Sequence, residues 1–184
     1  FDGCYKLERI DNLNKLNTAK VKDVSMMFRD CGELTSLNFG DNFDVSSVSS
    51  FTEMFSGCTK LKSLDLRKFN TRDAQYMNLM FNGCKSLTSL DISNFNTDSL
   101  QYIDSIFQDC SSLRSINVKH FKTDKITSMI SIFQGCSSLT SIDLSNFESK
   151  YITELTGTFY NCLNLTNINF TNFDISKVKS ITSI

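Results

Sequence analysis

Apolar residues return along this chain in the order Leu-x-x-Leu-x-Leu-x-x-Phe, most regularly at Leu87, Leu90, Ile92 and Phe95. Within that block Ser89-Leu90-Asp91-Ile92 alternates polar and apolar, the period of a strand with one face buried. Asn96-Thr97-Asp98 follows, three residue types that favour turns and helix caps. Leu100, Ile103, Ile106-Phe107 and Cys110 then recur at intervals of three and four. That is the helical period, and it predicts a short helix in each repeat.

The block recurs seven times, marked by Cys4, Cys31, Cys58, Cys84, Cys110, Cys136 and Cys162, at separations of 27, 27, 26, 26, 26 and 26 residues. A Phe stands three residues before each Cys and a Leu three after. A fixed period of about 20 to 50 residues marks a solenoid, in which each unit buries its apolar side only against its neighbours. The residue before each Cys is Gly3, Asp30, Gly57, Gly83, Asp109, Gly135 or Asn161. All three types tolerate positive φ, which predicts a left-handed cap ending each helix. Of the 16 Phe, seven fill the column before Cys and six the column after the strand; Phe39, Phe51 and Phe170 replace Leu or Met, so all are assigned to packing. The expected fold class is α/β: a leucine-rich-repeat solenoid of seven repeats of 26–27 residues. A parallel β-sheet lies on one face, short helices on the other, and residues 1–184 form a single domain. The first two repeats carry one extra residue each. In the second it lies near Gly40-Asp41-Asn42; in the first, Ile10-Asp11-Asn12-Leu13 departs from the pattern and Leu16 stands in the Phe column. The chain starts and stops in phase and neither end reads as a polar cap, so a segment of a longer protein is expected.

The string M-F-x-x-C-x-x-L-x-S-L-D-L-S-x-F-x-T runs from Met54 to Thr71 and again from Met80, with Arg67 and Ile92 as departures. It resembles the Phe/Cys-type leucine-rich repeats of BspA-like bacterial surface proteins. The likeness is greatest to the roughly 26-residue repeat of surface lipoproteins and wall-anchored proteins in mollicutes and other host-associated bacteria. The resemblance implies a leucine-rich-repeat solenoid, exposure at the cell surface, and roles in adhesion or host interaction. It implies no catalytic residues. The 184 residues contain no lipobox and no wall-anchor motif, so cell-surface, extracellular placement rests on the resemblance alone.

Composition narrows the partners. With 19 basic and 20 acidic residues intermixed and a net charge of −1, no basic stripe is available for a nucleic-acid backbone. No apolar run is long enough for membrane insertion. The odd cysteine count, one per repeat at one phase between Phe and Leu columns, predicts buried, reduced thiols. His120 is the only His, so no Cys/His metal cluster forms, and no cofactor-binding pattern is present. Outward positions of the stacked strands form columns. One holds Asp65, Asp91, Asn117 and Asp143; its Asp residues raise a cation-site alternative, although only Asp65 and Asp91 are adjacent. The next holds Gly40, Arg67, Ser93 and Lys119, with Lys68 and His120 alongside. It varies most on the rigid frame, so this outward face is the candidate protein-binding surface. Tyr76 and Tyr102, equivalent positions on the expected helix face, are a second candidate anchor for a protein partner. No nucleophile accompanies His120, so the reading is non-enzymatic: a protein-binding module for surface adhesion or host interaction. The alternatives are a structural stalk or spacer, and the recognition domain of a larger enzyme or effector.

Overall fold

In the computed structural model, which describes residues 1–184, the seven Phe that precede the cysteines form one continuous stack. From Phe1 through Phe28, Phe55, Phe81, Phe107 and Phe133 to Phe159, ring centroids are 5.6 to 5.8 Å apart and planes lie within 3 to 13° of parallel. Offset stacking of this kind contributes about 0.5–1.5 kcal/mol per pair beyond the area buried. It also fixes how each repeat sits on the next.

The cysteines run beside the Phe stack. The thiols of Cys58, Cys84, Cys110 and Cys136 donate to the carbonyls of Phe28, Phe55, Phe81 and Phe107 at 3.0 to 3.2 Å. All seven cysteines are free; those from Cys31 to Cys136 are buried and Cys4 is exposed. Burial pushes the Cys58 thiol up to about 12 and the Cys84 and Cys110 thiols well above the usual range, which keeps them protonated.

On one side of this core lie two parallel strands, β1 (Ser141–Asp143) and β2 (Asn167–Asn169). They pair Ser141 with Asn167, Ile142 with Ile168 and Asp143 with Asn169, one repeat apart. The earlier repeats keep the alternation at the same phase, with Leu64, Leu66, Leu90, Ile92, Ile116 and Val118 buried and the residues between them exposed. They do not form the ladder, so the expected seven-repeat sheet is reduced to two strands. The segment is confined between a turn at Cys–Leu and a turn at the Asp or Asn, which leaves about three residues for pairing.

The expected helices are absent. The segment assigned to them lies on the opposite side as a second inter-repeat ladder, bridged at Asp23, Ser50, Tyr76 and Tyr102, and again at Ser128, Glu154 and Ser180. In a helix the N–H of Phe81 would bond four residues back. Here the N–H groups of Met77, Leu79, Phe81 and Gly83 donate to the carbonyls of Tyr102, Asp104, Ile106 and Gln108 in the next repeat. The intervening N–H groups of Met80, Asn82 and Cys84 close turns on Met77, Leu79 and Phe81. Two left-handed residues per repeat impose this zigzag. One is the position before Cys, positive in φ in all seven repeats as expected, though it closes a turn rather than a helix. The other lies four residues earlier, at Met26, Glu53, Leu79, Ser105, Ser131 and Gly157, and Ser183 has positive φ at the same phase after the last Cys.

The first repeat departs most. Asn12 has φ 59° and opens a 3-10 turn at Leu13–Lys15. That turn swings Leu13 into the core, 2% exposed, and leaves Leu16 outside at 42%. Leu16 therefore does not occupy the Phe column.

Candidate functional site

The extra residue of the second repeat opens the outward face. Gly40 has φ +64°, and a Cβ there would meet the Asn14 Cβ at 2.3 Å, so only glycine lets the loop fold down on the first repeat. Beside it is a cleft of about 560 Å³ lined by Leu37, Phe39, Phe43, Phe69, Asp65 and Arg67, with Asn38, Gly40 and Lys68 completing the wall. Phe39 replaces the aliphatic residue found at Leu66, Ile92, Val118 and Leu144. Its ring meets Phe28, Phe43, Phe55 and Phe69 with centroids 4.7 to 6.2 Å away, which makes the floor rigid.

The polar wall is preset. Asp65 Oδ1 accepts the Arg67 N–H at 3.1 Å, and the Arg67 guanidinium folds back on the same carboxylate through Nε at 2.9 Å and Nη2 at 2.7 Å. These Arg67 hydrogen bonds hold the Asp65 carboxyl down at about 2. Lys68 pairs with Asp41 of the inserted loop, across one repeat.

The other predicted outward residues lie further along the same columns, away from the cleft. Ser93 bonds Asp91 through its N–H at 3.0 Å and its hydroxyl at 2.7 Å. Asn117 accepts the Lys119 N–H at 3.1 Å, and the Lys119 ammonium reaches Asp143 of the next repeat at 2.8 Å. His120 turns inward. Its equivalents Asn94 and Asn146 donate to carbonyls of the preceding repeat at 2.9 and 3.1 Å. The His120 ring instead lies edge-on to Phe121, with Nε2 sheltered and unpartnered. Burial lowers its pKa, opposed by the Ile92 carbonyl. No group of three or more His, Cys, Asp or Glu is placed to hold a metal ion. The structure thus brings Asp65 and Arg67 to one cleft and leaves Asp91, Ser93, Asn117, Lys119, His120 and Asp143 outside it. Tyr76 and Tyr102 lie on the turn ladder, stacked at 5.1 Å.

Leu37, Phe39, Phe43 and Phe69 line this site, although their spacing assigns them to packing alone. Two signals in the sequence mark the place: a Phe in an aliphatic column, and the extra residue at Gly40.

A family profile described as "Mycoplasma protein of unknown function, DUF285" matches residues 1–115 and 88–184. A leucine-rich repeat protein from Bacteroides ovatus superposes with a TM-score of 0.63 at 24% identity, over 97% of this chain and 43% of its own. The leucine-rich repeat protein of T. pallidum superposes with a TM-score of 0.55 at 26% identity, over 88% of this chain and 66% of its own. The chain thus spans less than half the length of the first of these proteins and about two thirds of the second. No curated protein matches the sequence.

Proposed function

Because the chain belongs to that Mycoplasma family of unknown function and folds as leucine-rich repeat proteins do, we propose that it is a protein-interaction repeat module. Its role is non-enzymatic contact with a protein partner, for adhesion or host interaction at a bacterial surface. The observation that supports this is the cleft at Phe39 and Phe69, where a rigid apolar floor meets the Asp65–Arg67 pair. An aliphatic or aromatic side chain of a partner would fill the floor and leave the polar rim to set orientation. Surface placement rests on the resemblance of the repeat. No helix of the structure is long and apolar enough to cross a membrane.

The test is to immobilise the chain and measure binding to intact host cells and purified extracellular matrix. Arg67→Glu and Lys68→Glu, both at exposed positions, should lower binding, while unchanged hydrogen exchange along the Phe stack verifies that the fold is kept. Binding that survives both changes would move the contact off this face. No binding to any of these would favour the stalk reading, which the unbroken Phe stack also suits.

A further inference from the structure

Tyr76 and Tyr102 have no part in the cleft. Their backbones form a parallel bridge, their ring centroids lie 5.1 Å apart, and their planes are 5° from parallel. Both stay accessible, at 38% and 44% exposed. Their column continues with the short side chains of Ser50 and Ser128. The other tyrosines, Tyr5, Tyr151 and Tyr160, are exposed as well, but this is the chain's one stacked tyrosine pair. Most competing oxidisable groups are withdrawn, although Met26, Met27 and Cys162 are only half-buried and Cys4 is exposed. Met54, Met77, Met80 and Met129 are buried, as are the thiols from Cys31 to Cys136, which burial keeps protonated and so poorly reactive.

We propose that Tyr76 and Tyr102 form an oxidative cross-linking site, at which hydrogen peroxide acting through a haem peroxidase joins the two rings as dityrosine. Each phenol gives up one electron and one proton to become a phenoxyl radical. The radicals couple between ring carbons ortho to oxygen, forming one C–C bond. The two ortho hydrogens then pass to the phenolic oxygens, restoring both aromatic rings. The peroxide O–O bond breaks as it takes up the two electrons and two protons, so two tyrosines and one peroxide give one dityrosine and two waters. The stack supplies the orientation: rings held in register meet without a diffusional search. The product ties the third repeat to the fourth and closes a loop of 26 residues, which restricts the unfolded chain as a disulfide does. The inference is independent of the protein-binding reading.

The experiment treats dilute protein with a haem peroxidase and hydrogen peroxide, in a Cys4→Ser background so that the exposed thiol forms no dimers. Expected is a monomer lighter by two hydrogens, with one dityrosine joining the peptides that carry Tyr76 and Tyr102, and a higher thermal midpoint. Tyr76→Phe and Tyr102→Phe should each abolish the product; both keep a ring in the stack, and unchanged hydrogen exchange verifies the fold. Cross-links through Tyr5, Tyr151 or Tyr160 in their place would overturn the proposal. So would an undiminished yield in Tyr76→Phe, or no dityrosine in the monomer.

Discussion

Asp65 stands for a column whose chemistry is local. Asp65, Asp91, Asn117, Asp143 and Asn169 each accept the backbone N–H two residues on, at 2.9 to 3.1 Å. Either residue type supplies that oxygen, which explains why Asp and Asn stand in for each other in the column. Among these, Asp65 has the strongest partner in its own repeat, the Arg67 fork. Its carboxyl lies at about 2 in the folded chain, below the value of about 4 for an unfolded Asp. The stabilisation is therefore complete above about pH 4 and fades as pH falls towards about 2. Carboxylate NMR should find Asp65 titrating near the lower value, and Arg67→Ala should return it towards the ordinary one. An Asp65 titration unmoved by Arg67→Ala would dissolve the pair. Such columns are legible in the sequence because the turn accepts few residue types. The second left-handed position is not: Met26, Glu53, Leu79 and Ser105 have no common chemistry. Inter-repeat hydrogen bonds hold them there against a cost of about 1–2 kcal/mol each, and leave no trace in composition.

The turn ladder is the element that periodicity misassigns. Apolar residues at intervals of three and four face inwards from a helix, but they do so equally from successive turns with a left-handed residue every fourth position. What separates the two is the destination of the N–H groups, and single-repeat spacing says nothing about that. Stacking adds a rule of its own. A Cβ at Gly57 would lie 2.3 Å from Asp30 Oδ1, and one at Gly135 only 2.1 Å from Asp109 Oδ1. A side chain before Cys thus reaches over the next repeat and needs glycine there. The order Gly3, Asp30, Gly57, Gly83, Asp109, Gly135, Asn161 obeys this throughout. A Cβ at Gly83 itself meets nothing closer than 3.6 Å. Gly83→Asn should still cost about 1–3 kcal/mol, because its amide would run into the Asp109 side chain. Adding Asp109→Gly should recover most of that loss, a coupling that denaturant unfolding of the two single variants and the double variant would measure. Additive costs would refute the rule.

For the whole molecule, every contact between repeats is to a neighbour, and stability is a sum of repeat and interface contributions. Leu90 is buried between two full repeats, whereas Ile10 lies in the irregular first repeat and is only half-buried. Leu90→Ala should cost about 2–5 kcal/mol, and Ile10→Ala clearly less. Hydrogen exchange of this chain should show protection rising from both ends to the middle. Equal costs, with uniform protection and one global opening, would indicate a closed core instead. The solenoid, its period and its Phe and Cys columns were all legible in the spacing, since each needs one residue type at one phase. The cleft was only half so: Asp65 and Arg67 stood out as outward charges, but the opening beside them arises from the way one inserted glycine settles on Asn14.

The regular Phe stack has a consequence for heredity. A gene built of near-identical units gains and loses them by unequal recombination, and here such an event leaves the stack unbroken. Loss of residues 81–106 would set Phe55 on Phe107 and Gly57 before Asp109, a succession the fold already uses at Gly83 and Asp109. Loss of residues 133–158 would bring Asn161 directly after Asp109, where a Cβ has no room. Variation in length should therefore follow a grammar, with some units free to drop out of the lineage and others bound to the one before.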